Sequence, residues 1–154
     1  MKFLFTLLFV IGSYVSFGQI SLNDLISVYK MDFDQFETFS LNKGFTFEKT
    51  EDTEDVFRVC YVRGTGLDTK YLSLYSKFYL DGTCVIYQTS RESDYLKFKD
   101  QMSAKGLRLT ATENFDGSLK KVYKNREWEV NIYSGIGSDE LPYYEISLVR
   151  PRKD

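Results

Sequence analysis

Residues 71–89 read YLSLYSKFYLDGTCVIYQT, two β-prone runs that meet at Asp81-Gly82. Tyr71 to Leu80 alternates large apolar with smaller or polar residues, and Thr83 to Thr89 returns in the same manner. Asp-Gly favours a two-residue type I′ hairpin, because both central positions need positive φ. Such a turn sets Leu80 opposite Thr83, Tyr79 opposite Cys84 and Tyr75 opposite Gln88. Cross-strand partners share a face. Leu72, Leu74, Phe78, Leu80, Val85 and Tyr87 therefore form one side, to be covered by another layer. Tyr71, Tyr75, Lys77, Tyr79, Ile86 and Gln88 form the other, with Cys84 beside them.

The chain on either side supplies the covering layer. Ser21 with Asp24 makes an approximate capping box for a first helix carrying Leu22, Leu25, Ile26 and Tyr29 on one face. Asp32 with Gln35 opens a second helix whose Phe33, Phe36 and Phe39 line its buried side, and Gly44 ends it as the C′ residue. Strand signals follow at Phe45–Phe47 and Val56–Val62. Beyond the hairpin, Ser90 is expected to cap a third helix with Tyr95, Phe98 and Met102 at helical spacing, stopping at Lys105-Gly106. Four more strands are expected at Leu107–Thr112, Ser118–Lys124, Glu127–Ser134 and Tyr143–Val149. A tight turn at Asn125-Arg126 sets Tyr123 opposite Trp128, Lys121 opposite Val130 and Leu119 opposite Ile132 on the core side. Lys124–Glu127, Val122–Glu129 and Lys120–Asn131 then fall on a charged outer side.

Helix, four strands, helix, four strands is the order of an internal duplication. An offset of 62 residues aligns Phe36 with Phe98, Lys43-Gly44 with Lys105-Gly106, and Thr50-Glu51 with Thr112-Glu113. Phe45 and Phe47 fall on Leu107 and Leu109, and Tyr61 on Tyr123, as helix core, helix stop and first-strand core. The fold class is α+β, with two tandem repeats of helix plus four-stranded antiparallel sheet and the helices on one sheet face. The repeats span residues 19–90 and 91–154 within one compact domain. This layout resembles the beta-lactamase inhibitory protein family, a tandem repeat of helix–loop–helix and four-stranded sheet, and the BamE-type outer-membrane assembly factors in its single unit. The resemblance is architectural: Ser21-Leu22-Asn23 stands where many such units open on a Gly-Met-Thr-like stretch, so no binding residue carries over.

The N-terminus reads as an export signal. Lys2 is the positive region, Phe3 to Ile11 an apolar run, and Ser16-Phe17-Gly18 places small residues at the −3 and −1 positions of a cleavage site. The competing reading is a retained anchor, but a spanning helix needs about 20 apolar residues, and Gly12, Ser13 and Ser16 interrupt the run. Cleavage after Gly18 leaves 136 of 154 residues, and removes only Lys2 from 20 basic and 22 acidic residues, for a net charge of −3. The expected place is the periplasm or the medium, with no membrane span after cleavage. A net acidic chain gives no electrostatic reason to expect nucleic acid. Cys60 and Cys84 are expected as two thiols, since a meander puts a strand between them and their Cα atoms beyond the ~7 Å reach of a disulfide.

Chemistry is constrained by what the chain lacks. It contains no His, which removes Ser-His and Cys-His nucleophile pairs and most zinc sites. Glu51, Asp52, Glu54 and Asp55 lack calcium-loop spacing, and Gly64-Thr65-Gly66 precedes no helix that would make it a phosphate loop. No enzyme activity, cofactor or metal is expected. The tyrosines at 71, 75 and 79 have two readings. They are good strand formers that sit half-buried, or they are aromatic anchors for a partner; carbohydrate stacking would use the same rings. The leading expectation is a noncatalytic envelope or secreted protein that binds another macromolecule in an inhibitor-, immunity- or assembly-factor-like role. Its candidate surface is Tyr71, Tyr75, Lys77, Tyr79, Ile86 and Gln88. A binder of a small apolar ligand or lipid is the alternative, and a hydrolase the third.

Overall fold

The computed structural model describes residues 19–77, 82–115 and 117–151. The expected signal peptide over residues 1–18, candidate site residue Tyr79 with its neighbours 78 and 80–81, and the Lys77 side chain lie outside the described residues. Helices α1 (Leu22–Val28), α2 (Phe33–Asn42) and α3 (Glu92–Ala104) accompany eight strands. These are β1 (Thr46–Asp52), β2 (Val56–Arg63), β3 (Lys70–Lys77) and β4 (Gly82–Thr89), then β5 (Arg108–Phe115), β6 (Ser118–Lys124), β7 (Glu129–Ile136) and β8 (Pro142–Val149). All eight form one antiparallel sheet in the order β1-β2-β3-β4-β8-β7-β6-β5. This corrects the expectation of a four-stranded sheet in each repeat. β4 and β8 would each end a meander with unpaired backbone groups, and they pair with one another instead, Val85 against Leu148 and Tyr87 against Ile146.

Local chemistry fixes the helix ends. Both expected capping boxes form, Ser21 with Asp24 and Asp32 with Gln35. Gly44 and Gly106 follow α2 and α3 with φ of 78° and 69°, where a side chain would be strained. The start of α3 differs from expectation. Arg91, not Ser90, is the N-cap, and its side chain makes no capping bond. The Thr89 hydroxyl accepts from the Arg91 N–H at 3.2 Å, and Asp94 turns inward to Lys70 at 2.6 Å.

The helices cover one sheet face. Leu22, Leu25, Val28, Phe36, Phe98 and Met102 are buried against Leu72, Leu74, Val85, Tyr87, Val130 and Ile146. Each fully buried Leu or Val contributes about 1.5–3 kcal/mol relative to exposure. Ring contacts lock the layers: Tyr29 edge-on to Trp128 at 5.1 Å, Phe36 to Tyr61 at 5.3 Å, and Tyr95 stacked on Tyr144 at 4.8 Å. Phe47 and Leu109, expected in the core, are 56% and 52% exposed. They lie on the edge strands β1 and β5, each next to a bulge, with a neighbouring strand on one side only.

Both hairpin registers also differ from the two-residue turns read at Asp81-Gly82 and Asn125-Arg126. Gly82 pairs with Lys77 and Cys84 with Tyr75, a slip of four. Lys124 pairs with Glu129 and Tyr123 with Val130, a slip of two, because Asn125 Oδ1 accepts from the N–H groups of Glu127 and Trp128 and closes a four-residue loop. Side chains alternate with period two, so even slips leave each described residue of these strands on its assigned face. The face assignment therefore stands, while the partners change. Leu119, read as core, is 36% exposed and pairs with Ser134 near the far edge.

The two halves share their register. Thr46↔Val62 through Asp52↔Phe57 in β1–β2 becomes Arg108↔Lys124 through Asn114↔Leu119 in β5–β6, each residue shifted by 62 (46 to 108, 62 to 124), bulge included. The pair Tyr75↔Cys84 in β3–β4 corresponds to Tyr133↔Glu145 in β7–β8, at shifts of 58 and 61.

Candidate functional site

The face away from the helices is ordered by that register into rows running across the strands. Its central row reads Lys49, Cys60, Ser73, Ile86, Ser147, Asn131, Val122, Ala111, each paired with the next. Apart from Lys49 and Ile86, the side chains of this row are short. Asn131, at 8% exposure, keeps its carbonyl oxygen buried with no partner among the described residues, and Nε of Arg58 is in the same position. The polar network of this face is thus incomplete among the described residues.

Two matching clusters flank the row. On one side Arg58 bonds Glu51 at 3.2 Å and lies over the Tyr75 ring at 5.0 Å. On the other, Lys120 pairs with Glu113 at 3.6 Å and lies over the Tyr133 ring at 5.9 Å. Shifts of 62 for acid and cation and 58 for tyrosine carry the first cluster onto the second. A cation held over a ring adds about 0.5–2 kcal/mol and fixes the ring's attitude. Burial pushes the Tyr75 phenol up to about 12 against the lowering pull of Arg58, and burial likewise raises Tyr133. Burial opposes charge on Arg58, yet the facing Tyr75, Cys60 and Glu51 outweigh it and hold the guanidinium pKa above its usual value. Lys49 first, then Arg58, holds the Glu51 carboxyl below the ordinary range. At neutral pH the clusters are neutral phenols beside paired charges.

The structure puts four of the candidate residues, Tyr71, Tyr75, Ile86 and Gln88, half-buried on this face. Tyr71 and Tyr75 stand four residues apart on β3, with Ser73 between them on the same face, and do not form one ring stack. Lys77 has its backbone at the end of β3. Arg58, Lys120 and Tyr133 escaped the sequence reading. Their signal lies in the repeat offset itself, once the loop after β6 is shortened by four residues. Cys60 on β2 and Cys84 on β4 remain thiols with β3 between them. Glu51 belongs to a strand, not to a cation loop, and no cluster of three metal-ligating side chains occurs among the described residues. No described helix is long and apolar enough to cross a membrane.

At one end of the same face lies a cavity of about 370 Å³. Tyr71 and Gln88 meet Tyr143 there, between the loop before β3 and the loop before β8. Gly135 lets the Tyr143 ring lie across β7, since a Cβ would approach the ring to 3.0 Å, and the Tyr143 hydroxyl bonds Ser118. The opposite loop is tied to the start of α3 by an Arg91–Asp68 ion pair.

Compared with protein-family models, curated proteins and solved structures, the chain finds no match.

Proposed function

We propose that the chain is an exported, noncatalytic protein that binds a macromolecular partner, a protein of the envelope or secretions, through the open sheet face. One observation carries the reading: the acid–cation–tyrosine clusters Glu51–Arg58–Tyr75 and Glu113–Lys120–Tyr133 stand on either side of a row of short side chains. Tyr and Arg are the residue types that dominate interface energetics, above all when fixed before binding. The short row would admit a partner's side chains between them. The working surface is Tyr71, Tyr75, Ile86 and Gln88 with Lys77 and Tyr79, extended by Arg58, Lys120 and Tyr133.

The tandem-repeat reading is part of this proposal. It is supported by the six cross-strand residue pairs of β1–β2 that recur in β5–β6 shifted by 62 residues, and by Ile86 pairing with Ser147, its own counterpart at the β4-to-β8 shift of 61. A duplicated unit turned about that pair would present each binding cluster twice. The architectural likeness to beta-lactamase inhibitory proteins agrees with such a role at the level of layout.

Export rests on the sequence pattern of residues 1–18. Gln19, which would begin the mature chain, is held by Asp94 and by Lys97, the latter at 2.7 Å, and Ile20 is buried. The space an apolar ligand would need between helices and sheet is filled by Leu22, Leu25, Phe36, Tyr87 and Phe98. The test is capture from the native envelope extract by the wild-type domain and by a Tyr75→Thr/Tyr133→Thr variant. A stoichiometric protein retained by the first and lost by the second supports the proposal; equal retention by both overturns it.

A further inference from the structure

We propose that the cavity at the Tyr71–Tyr143 end of the sheet is a binding site for a single neutral sugar residue, set at the end of the protein-binding face and sharing Tyr71 and Gln88 with it, though the inference does not depend on that reading. Its chemistry selects the ligand class. The hydroxyls of Thr69, Tyr71 and Ser90 line it and have no hydrogen-bond partner among the described residues. Gln88 donates its amide to Glu145 at 2.7 Å, which leaves its carbonyl oxygen as an acceptor. Asp139 lines the opposite wall, with one carboxylate oxygen accepting from the Leu141 N–H at 3.2 Å and no cation paired to it among the described residues. The lining thus offers donors and acceptors in mixed array beside two tyrosine rings. A sugar presents the same mixture at its hydroxyls, with apolar C–H faces for the rings.

Other ligand classes fit worse. Among the described lining residues Asp139 is the one charged side chain, and it repels phosphates and carboxylates. One carboxylate is too few for a calcium ion, which takes six to eight oxygens. Among the described lining residues Leu141 is the one aliphatic side chain, so a lipid tail would face hydroxyls it cannot satisfy. At about 370 Å³ the cavity lies at the small end of the usual ~300–1,000 Å³ range, matching one sugar ring rather than a longer ligand.

The walls are held before any ligand arrives. Gly64, at φ 85°, lets the preceding loop fold onto the Asp68 carbonyl, and Arg91 then ties Asp68 to the base of α3. On the far side Gly137 admits the Asp139 carboxylate, whose oxygen would lie 2.7 Å from a Cβ there. Ligand-binding loops fixed at both ends lose little freedom on binding.

The test uses the mature protein and the methyl glycosides of glucose, galactose, mannose and N-acetylglucosamine, with glucose 6-phosphate and decanoate as the charged and apolar comparators. Amide shifts in two-dimensional NMR read the site, titrated to concentrations that saturate a millimolar Kd. At least one neutral glycoside is expected to shift Thr69, Tyr71, Ser90 and Tyr143 saturably, with neither comparator doing so. Thr69→Val and Ser90→Ala remove hydroxyls that make no internal bond, so both should keep wild-type stability and bind about three- to tenfold more weakly, the worth of one hydrogen bond. Tyr75→Thr should leave sugar binding unchanged, which separates this site from the Arg58–Tyr75 cluster of the same face. No saturable shift with any glycoside overturns the proposal, as does equal binding of glucose 6-phosphate or decanoate. Unaltered affinity in both hydroxyl variants would overturn it as well.

Discussion

Lys70→Met tests the buried charge that joins α3 to the sheet. Asp94 is 4% exposed and accepts from Lys70 Nζ at 2.6 Å, from the Tyr87 and Thr89 hydroxyls at 3.3 Å each, and from the Gln19 amide. Lys70 is itself nearly covered, its side chain 12% exposed. Methionine keeps the length and apolar stem but strands the carboxylate. Removing one partner of a buried pair costs about 3–5 kcal/mol. Three neutral donors stay in place, so the low end applies, about 3 kcal/mol. For a domain of this size that is a fall in Tm of roughly 10 °C. Asp94→Asn keeps one acceptor oxygen for Lys70, Tyr87 and Thr89, sets an amide NH2 against the Gln19 donor, and leaves an ammonium that can extend toward water, at a cost of about 2 kcal/mol. The double variant should lose about 1.5–2 kcal/mol less than the sum, because neither charge is then alone. Urea denaturation of the four proteins closes the cycle. Additive single costs, or a Lys70→Met loss below about 1 kcal/mol, would refute the reasoning.

Two further outcomes follow from backbone and phenol. Gly64→Ala should cost more than about 3 kcal/mol, since it adds a clash with the Asp68 carbonyl to the ~1–2 kcal/mol of left-handed strain that Gly66→Ala would carry alone in open space; equal urea midpoints for the two would contradict this. Burial lifts the Tyr75 phenol to about 12, above the unfolded value of ~10, so its contribution is complete below pH ~10 and is lost as pH rises toward ~12. Tyr75→Phe should therefore flatten the alkaline decline in stability by about 1 kcal/mol, after discounting for partial exposure, and a decline of unchanged slope speaks against the assignment.

The sequence carried local and periodic information well. Ser21-x-x-Asp24, Asp32-x-x-Gln35, Gly44 and Gly106 place helix ends because capping depends on a few neighbouring atoms. Alternation along β3 and β4 sorts Leu72 from Tyr71 whatever the register, since slips of two or four preserve the face. Register itself escaped because it is set by loop closure: Asn125 folds back on Glu127 and Trp128, and no residue type announces that in advance. Pairing of β4 with β8 is a contact between strands more than fifty residues apart, invisible to any local pattern. The same holds for the binding face. Tyr75 was legible as an outward tyrosine, but its partner Arg58 lies on another strand and Tyr133 in the other half. Asp94 is a first-turn acid of α3, and only tertiary packing, which no local pattern carries, turns it toward Lys70.

Affinity for the captured partner, measured by calorimetry on the Tyr75→Thr/Tyr133→Thr variant, tests the protein-binding face most directly. Threonine retains strand preference while removing the rings, so the domain should stay folded. Truncating a central anchor costs about 2 kcal/mol or more, so binding should weaken at least thirtyfold or so. Trp128→Ala serves as the contrast, because its ring is buried against Tyr29 on the helix side. It should lower folding stability by about 3–5 kcal/mol while the surviving folded fraction binds normally. A folded double-tyrosine variant that binds at wild-type strength would contradict the account.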